Sequence, residues 1–268
     1  MMGVMIEDKH GHGHEKVIER LGRHGARVKD LRRRIKHRRS GEVIVEGRRL
    51  VGDIARWQVP LPELYLSPEA VVAPGLSMLR SAAAVVYEIE ASVLADLAPT
   101  RSSQGVLAVA EEPKWTRWNA GNGVALWLER LQDPGNLGAI VRAAAGLGAA
   151  AVLLSPDCTD PYGHGTVRGS AGAVFRTPIE RGVTVEKAVE RVREAGGEIW
   201  ATGAGGRPVA GWEPVRPCLL LLGAEGPGLS LEARNLADGG LTIPLENGIE
   251  SLNVAVATGI LLQHLRAR

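Results

Sequence analysis

The second half of the chain alternates continuous apolar runs with stretches of helical periodicity, and this alternation restricts the fold more than any other feature. The apolar runs are VALWL, AAVLLS, EIWAT, CLLLLG and LTIPL, and a last helix is predicted from Ser251 to the end. Apolar runs without alternating polar residues are typical of parallel strands covered by helices on both faces. The sequence therefore predicts an α/β domain with a parallel sheet over residues 124–268. Ligands of such sheets bind beyond the carboxyl ends of the strands, so functional residues are expected there.

The first half predicts a smaller α/β unit ahead of the parallel-sheet domain. Runs such as EVIVEG and AAVVYEI are typical of strands, and GRRLVGDIARW has the periodicity of an amphipathic helix. We place this unit at residues 41–112 and a linker, which contains Pro, Gly and Asn, at residues 113–123. Residues 1–40 are polar and basic, and we interpret them as an N-terminal extension.

Positive charge is concentrated near the N-terminus. The run RRRIKHRR holds six formal positive charges, and without them the net charge of +2 would be −4. Such a run is either a solvated helix face or an arm that binds the phosphates of a nucleic acid. Taken alone, the run does not decide between these two interpretations, but the motifs described below favour nucleic acid. The candidate nucleic-acid-binding residues of this arm are Arg32, Arg33, Arg34, Arg38 and Arg39.

Composition indicates a cytoplasmic protein without a membrane partner. No apolar run reaches the length of about 18 residues that a membrane span needs. The first residues become charged too early for a secretory signal. Cys158 and Cys218 are not in a Cys-x-x-Cys pair and are predicted to be reduced thiols. The histidines of HGHGH, from His10 to His14, could bind a metal, but a polar tail is the favoured interpretation, and no metal site is predicted.

Three polar segments follow apolar runs of the second half. In LERLQDPGNLGAIVRAA, Asn136 precedes a helix that carries Arg142. A Gly-rich loop, LLLGAEGPGLS, holds one carboxylate, Glu225, and in IESLNVAV the residues Ser251 and Asn253 begin the last helix. Singly, each segment also has a structural interpretation, because DPGN is a good turn and both Asn136 and Ser251 are good helix caps.

Arg142 argues against purely structural roles. Ile, Val and Ala surround it in its helix, so the sequence predicts a buried or cleft-lining guanidinium. Such a group needs an anionic partner, and either Glu225 or a phosphate would serve.

Together these segments resemble the SpoU–TrmH family of the SPOUT methyltransferases. The matching stretches are DPGNLGAIVRAAAGLGA, GTVRGSAGAVFRTPI, LLLGAEGPGLS and IPLENGIESLNVAVATGILL, in the family's order, over nearly all of Leu126 to Leu265. The first half resembles, more weakly, the ribosomal-protein-like RNA-binding domain of members that act on ribosomal RNA. The stretches EVIVEGRRLV and TRSSQGVLAVA carry that similarity.

The resemblance implies an α/β fold whose C-terminal parallel-sheet domain contains a deep trefoil knot and forms a homodimer. It also implies that S-adenosylmethionine (AdoMet) is the cofactor, held mainly by backbone groups of loops 201–205, 222–228 and 243–252. The absence of a Rossmann-type G-x-G-x-x-G after the first strand of this domain agrees with such a site. The implied cofactor contacts are Thr202, Gly203, Gly223, Ala224, Ile243 and Leu252.

The same resemblance places Arg142 at the target ribose and its phosphate, with Asn136, Glu225, Ser251 and Asn253 around it. A guanidinium stays protonated, so we expect Arg142 to hold the phosphate and stabilise the ribose oxygen rather than act as a base. Arg168 is a further candidate for contact with RNA or with the partner subunit.

The function implied is AdoMet-dependent methylation of a ribose 2′-hydroxyl in RNA. The extra N-terminal domain favours ribosomal RNA. A tRNA ribose methyltransferase, an antibiotic-resistance enzyme acting on ribosomal RNA, and a non-catalytic RNA-binding protein remain as alternatives. The presence of all five polar site residues argues against the last of these.

Overall fold

A computed structural model of the chain describes residues 17–98, 104–121 and 123–266. Two compact units are present, the first ending at Pro113 and the second beginning at Lys114. The HGHGH segment and residues 100–103 of the stretch TRSSQGVLAVA lie outside the described residues.

The first unit is an α/β fold with one five-stranded sheet. Its strands are β1 (Ile18–Leu21), β2 (Glu42–Glu46), β3 (Leu61–Leu66), β4 (Ala83–Ile89) and β5 (Val106–Glu111), and its helices are α1 (Ala26–Lys36), α2 (Arg48–Arg56), α3 (Pro68–Val72), α4 (Ser77–Ala82) and α5 (Ala91–Leu97). The strand order is β1-β4-β3-β5-β2. Strands β1, β4 and β3 are parallel, whereas β5 is antiparallel to both of its neighbours.

Apolar side chains of α1, α5 and the sheet form a core in this unit. Tyr65 and Tyr87 stack in it with ring centroids 5.0 Å apart, and Val28 and Leu31 of α1 are fully buried beside them. Burial and a hydrogen bond to Glu63 raise the pKa of Tyr65, so its hydroxyl is a donor at neutral pH. This packing shows that α1 is one of the elements that cover the sheet.

The basic segment therefore differs from the extension that the sequence predicts over residues 1–40. Its described part contributes β1 to the sheet and α1 to the core of the first unit. The reason is that Val28 and Leu31 form an apolar stripe between the charges, and burial of such a stripe stabilises a helix against the sheet.

The second unit contains a six-stranded sheet. Its strands are β6 (Val124–Glu129), β7 (Ala151–Leu154), β8 (Ile179–Glu180), β9 (Glu198–Pro208), β10 (Cys218–Gly223) and β11 (Gly239–Thr242), and its helices are α6 (Pro134–Leu147), α7 (His164–Gly169), α8 (Val185–Glu194), α9 (Leu231–Leu236) and α10 (Val254–Arg266). The strand order is β11-β9-β10-β6-β7-β8, and every neighbouring pair is parallel. The predicted parallel α/β sheet is confirmed.

The central strands explain why the sequence pattern is continuous rather than alternating. All residues of β6 and β7 are buried, as are the first five of β10, because helices cover both faces of the sheet. Both cysteines are free, and burial raises the pKa of Cys218 in β10 to about 12. The trefoil knot implied by the family resemblance stays a prediction.

Strands β9 and β11 have limits that differ from those predicted. Strand β9 continues through the Gly-rich stretch ATGAGG to Pro208, where a loop was predicted. Strand β11 starts at Gly239 and ends at Thr242, so the IPL that follows is not part of it. No helix within the described ranges is long and apolar enough to cross a membrane. The described part of the chain also holds no cluster of three His, Cys, Asp or Glu side chains that could bind a metal ion.

Candidate active site

Helix α6 begins at the carboxyl end of β6 with a conventional cap. The Asp133 side chain accepts a hydrogen bond of 2.6 Å from the Asn136 backbone amide, and Pro134 occupies the first helical position, where no amide hydrogen is needed. The cap is therefore Asp133, and the interpretation of Asn136 as the cap is wrong. Because Asp133 caps the helix, the amide side chain of Asn136 is free for other contacts.

Helix α10 begins at Val254, three residues later than predicted. Its cap is Asn253, whose Oδ1 accepts hydrogen bonds from the backbone amides of Ala255 (2.9 Å) and Val256 (3.3 Å). Ser251 is exposed and lies two residues before the cap. The prediction of Ser251 as the start of the helix is therefore wrong, since Asn253 satisfies the first amides of the helix.

Asn253 joins the three polar segments found in the sequence. Its Nδ2 donates one hydrogen bond to Asn136 Oδ1 (2.8 Å) and another to Glu225 Oε1 (2.6 Å). Together with the cap, these bonds use both the amide nitrogen and the oxygen of Asn253. Among the described residues, Asn136 Nδ2 and Glu225 Oε2 have no hydrogen-bond partner. The cluster thus presents one donor group and one carboxylate oxygen to a ligand.

The loop that carries Glu225 is a tight turn that needs glycine at Gly223. Ala224 and Gly228 pair as a bridge, with a 3.0 Å hydrogen bond from the Gly228 amide to the Ala224 carbonyl. A Cβ at Gly223 would lie 2.2 Å from backbone atoms of Gly228 and Leu229, far inside van der Waals contact. The backbone after β10 therefore folds back on itself, and Gly223 allows this close approach.

The regular pairing of strand β9 with β11 is interrupted near the carboxyl edge of the sheet. Ala201 pairs with Gly240, and the next partner of β11, Leu241, pairs with Arg207. Residues 202–206 lie between these two partners and have no counterpart in β11. The Thr202 hydroxyl donates to the Leu221 carbonyl (2.9 Å), which holds the start of this excursion against β10. Gly203 is exposed within it.

The remaining predicted cofactor contacts follow β11. Ile243 and Leu252 are half-buried, whereas the chain from residue 246 to residue 251 is exposed. Strands β10, β9 and β11 are neighbours and parallel, so the segments that follow or interrupt them gather at one edge of the sheet. That edge is the place where ligands of parallel sheets bind.

Arg142 is exposed on α6, whereas the sequence predicts a buried or cleft-lining side chain. It is six residues beyond Asn136, which places the two side chains on different faces of the helix. Arg142 is exposed, and it has neither an ion pair nor a side-chain hydrogen bond within the part of the chain that the structure describes. Of the two partners that the sequence left open for Arg142, Glu225 contacts Asn253 instead, and a phosphate stays the predicted partner. Arg168 on α7 is also exposed and unpaired among the described residues.

A buried carboxylate at the end of β6 was missed by the sequence interpretation. Glu129 is 8% exposed, and its Oε2 accepts a 2.7 Å hydrogen bond from the Ser230 backbone amide. Ser230 caps α9, so Glu129 ties the end of β6 to the segment that follows the Glu225 turn. The signal in the sequence was a carboxylate that ends an apolar strand, since a buried carboxylate needs hydrogen-bond donors.

Among the arginines of the basic run, Arg34 departs most from the predicted role in RNA binding, because it is buried. This guanidinium is 3% exposed, and it donates to Glu42 (2.8 Å) and to Glu63 (2.6 Å). Burial lowers the pKa of Arg34, but the hydrogen bond to Glu63 and the charges of Glu63 and Glu42 outweigh burial and raise it overall. Arg34 is a structural residue and is not accessible to RNA.

Three further candidates of the arm are also held within the first unit. Arg33 and Arg39 donate to Asp30, and Arg38 donates to Glu112. Burial opposes ionisation of Asp30, but the hydrogen bond from Arg33 and the charges of Arg39, Arg33 and Arg34 lower its pKa overall. In contrast, Arg32 is exposed without an ion pair among the described residues.

Two family profiles match the chain. The profile described as the SpoU rRNA Methylase family matches residues 123–263, more than half of the chain. This chain belongs to the SpoU rRNA methylase family. The assignment confirms the resemblance carried by the four ordered motifs. A second profile, described as the MRM3-like substrate binding domain, matches residues 26–108, within the first unit.

Relatives of this SpoU family member include named methyltransferases. An uncharacterised tRNA/rRNA methyltransferase of Synechocystis sp. is 35% identical over 183 residues, which cover 67% of this chain and 66% of the relative. The chain thus aligns with just under two thirds of that relative's length. The 23S rRNA (guanosine(2553)-2′-O)-methyltransferase RlmP of Bacillus subtilis is 27% identical over 89% of this chain and 94% of its own.

A solved structure resembles the whole described fold of this SpoU family member. It is the AdoMet-bound rRNA methyltransferase from Sinorhizobium meliloti, with a TM-score of 0.77 at 28% identity. The match covers 93% of this chain and 98% of that chain. Both units therefore have counterparts in one solved protein.

Proposed function

We propose that this protein transfers a methyl group from S-adenosylmethionine to a ribose 2′-hydroxyl of RNA, with ribosomal RNA as the substrate. The observation that carries the proposal is the hydrogen-bonded cluster of Asn136, Asn253 and Glu225 at the carboxyl edge of the sheet, in a chain of the SpoU family. A binding protein without chemistry has no need for a cluster that joins three distant segments and keeps a donor and a carboxylate oxygen free.

The residues at the sheet edge fit S-adenosylmethionine. The excursion of β9 at residues 202–206 and the turn after Gly223 offer backbone groups and small side chains, and half-buried Ile243 and Leu252 offer apolar contact. We infer that Thr202, Gly203, Gly223, Ala224, Ile243 and Leu252 would hold the cofactor. When bound, S-adenosylmethionine supplies a methyl group that its sulfonium already activates.

The protein then has to position the ribose 2′-hydroxyl, whose proton is released as the methyl group is transferred, and stabilise the negative charge that develops on the oxygen. We assign the phosphate contact and this stabilisation to Arg142, whose exposed guanidinium has no competing carboxylate among the described residues. Asn136 and Glu225 offer a donor and an acceptor to the nucleotide. Asn253 has no free polar group, so it acts as a positioning residue for these two. Ser251, exposed beside the cap, is a further candidate for contact with the nucleotide.

Ribosomal RNA is favoured over transfer RNA by the first unit. Its residues 26–108 match the MRM3-like substrate binding domain, and the B. subtilis relative acts on 23S rRNA by its name. The deciding experiment is methylation of ribosomal RNA fragments with labelled cofactor, followed by mapping of the ribose-methylated nucleotide. Transfer of label to tRNA alone would contradict the choice of ribosomal RNA, and no transfer to any RNA would contradict the enzymatic function.

Replacing Gly223 by alanine is expected to weaken cofactor binding by about 5- to 150-fold, since a methyl group forced into packed atoms costs about 1–3 kcal/mol. The added Cβ would meet backbone atoms 2.2 Å away. The matched control is Gly146→Ala on α6, outside the proposed cofactor contacts, where no atom lies within 4 Å of the added Cβ. Calorimetric titration of both variants with S-adenosylmethionine measures the difference. Equal affinities would contradict a cofactor site at this turn.

We further propose that the second unit forms a homodimer through α10. Val256 (52% exposed), Ile260 (39% exposed) and Gln263 follow one another at helical spacing on its outer face. Neighbouring exposed apolar side chains mark an interaction surface more often than solitary ones do. Arg168 is a candidate for contact across this interface.

The double variant Val256→Asp with Ile260→Asp is expected to be a monomer at about 10 µM, because two carboxylates from each protomer would be buried at the interface at a cost of several kcal/mol. Sedimentation velocity measures the assembly. Val215→Asp is the control, since Val215 is 53% exposed but lies outside α10. A wild-type monomer, or a dimeric double variant, would refute the interface.

We expect the exposed face of α1 to contact the phosphates of RNA, rather than all the arginines of the basic run. Lys29, Arg32 and Lys36 are exposed at helical spacing and unpaired among the described residues. Replacing all three by Gln should reduce the slope of log affinity against log salt by about 0.7–0.9 per lost contact. The methylated nucleotide should not change, because phosphate contacts carry no sequence information.

RNA binding at several salt concentrations measures this slope. The control variant Lys29→Arg, Arg32→Lys, Lys36→Arg keeps every charge and should keep the slope. An unchanged slope in the Gln variant would show that this face of α1 is only solvated.

A further inference from the structure

An open crevice lies at the carboxyl edge of the sheet in the first unit. Its volume is about 690 Å³, within the range of about 300–1,000 Å³ that is typical of small-ligand pockets. It is lined by Arg48, Ser67, Glu69, Ala91, Ala95 and Gln104, together with Gly105. These residues follow β2, β3 and β4 or precede β5, so they come together only through the sheet.

Arg48 is held in the crevice by its backbone and by one side-chain nitrogen. Its backbone amide donates to Gln104 Oε1 (2.9 Å), and its Nε donates to the Gln104 carbonyl (3.0 Å). The two terminal nitrogens of the guanidinium have no partner among the described residues. The guanidinium is therefore anchored at one end and keeps its donors for a ligand.

Glu69 places a carboxylate on the same crevice. Hydrogen bonds from its own backbone amide and from the Ser67 hydroxyl lower the pKa of Glu69, so the carboxylate is ionised at neutral pH. Neither Glu69 nor Arg48 has an ion pair among the described residues, although both line one cavity. A free phosphate would be attracted by Arg48 and repelled by Glu69. The ligand therefore has to offer both an acceptor and donors.

An unpaired guanine meets this requirement better than any other base. Its Watson–Crick edge carries two neighbouring N–H donors, which a carboxylate accepts as a pair, and its O6 and N7 accept from arginine. Bases that are not paired in RNA are commonly recognised on these edges by side chains. The small side chains of Ala91 and Ala95, one helical turn apart on α5, leave room for a flat ring.

We propose that this crevice binds an unpaired guanine nucleotide of the RNA substrate, with Glu69 on the base and Arg48 on the base or its phosphate. The inference rests on the proposed function, because it assumes that the substrate is RNA. It adds a site of sequence recognition in the first unit, separate from the methyl-transfer site of the second unit.

The test uses the full chain and labelled pentanucleotides UUGUU, UUAUU and UUUUU, with binding followed by fluorescence anisotropy at one salt concentration. UUGUU should bind about tenfold more tightly than the other two, since one good bidentate base contact discriminates by roughly this factor or more. Glu69→Gln should remove the preference for guanine. Arg48→Gln should weaken binding of UUGUU by a similar factor.

Arg49→Gln is the matched control. Arg49 is the next residue on α2, is exposed and does not line the crevice, so this variant removes the same charge outside the site. It should weaken all three oligonucleotides equally and keep the preference. Melting temperatures of the variants establish that each is folded, and Glu69 is exposed enough for its substitution to be tolerated.

Equal binding of the three oligonucleotides by the wild type, or a preference for guanine that survives both crevice variants, would overturn the proposal. Binding of guanosine monophosphate as tight as that of UUGUU would overturn the assignment to RNA, because the site would then serve a free nucleotide. Methylation of ribosomal RNA by a protein without guanine preference would refute only the crevice. A guanine preference without methyl transfer would refute only the enzymatic function.

Discussion

Replacement of Arg142 by alanine is expected to slow methyl transfer about 10²–10³-fold, equivalent to roughly 3–4 kcal/mol of transition-state stabilisation. Arg142 is exposed on α6 and has no acidic partner among the described residues, so its charge remains available for a phosphate. Arg142→Lys should restore little activity, since an ammonium does not reproduce the two-pronged contact of a guanidinium. The rate is measured in single turnover with ribosomal RNA fragments and saturating cofactor.

The structure also predicts what Arg142→Ala should leave unchanged. No buried carboxylate loses its partner, so the free energy of unfolding should stay within about 0.5 kcal/mol of the wild type. Affinity for S-adenosylmethionine should persist, because the cofactor is expected on the backbone of other segments. A variant that melts much earlier but keeps its rate at low temperature would show that Arg142 is structural. A stable variant with the full rate would remove Arg142 from the mechanism.

Replacement of Arg34 by alanine is expected to destabilise the first unit by about 3–5 kcal/mol, because it leaves carboxylates without their buried partner. Arg34 contacts Glu63 at 2.6 Å and Glu42 at 2.8 Å, and its side chain is 4% exposed. Tyr65 also donates to Glu63, so a loss at Arg34 disturbs the hydrogen bonding of the core. Urea unfolding followed by tyrosine and tryptophan fluorescence measures the change.

Arg32→Ala is the control for Arg34→Ala. Arg32 lies two residues earlier on the same helix but is exposed, so its removal should change the free energy of unfolding by no more than about 0.5 kcal/mol. Arg32→Ala should weaken RNA binding, whereas Arg34→Ala removes no contact with RNA, since only Arg32 faces the solvent. Equal stability of both variants would refute a structural role for the Arg34 ion pairs.

Most of the secondary structure could be predicted from local pattern. Continuous apolar runs mark β6, β7 and β10 because strands covered on both faces tolerate no polar side chain. The four ordered motifs identified the family, and the family profile agrees. Element limits were less predictable. Helix α10 starts at Val254 rather than at Ser251. Ser251 and Asn253 are both potential caps, and only the folded chain selects Asn253.

By itself, the sequence determined the parallel α/β architecture of the second unit, the family and the identity of the polar residues at the sheet edge. Only the tertiary structure decided which of these residues contact one another. Asn253 and Asn136 are 117 positions apart, and nothing local to either predicts their hydrogen bond. The arginines of the basic run carry the same side chain, so the sequence alone does not distinguish their roles. Folding buries Arg34 against Glu63 and leaves Arg32 in water, because burial depends on the helix face and on partners from distant strands.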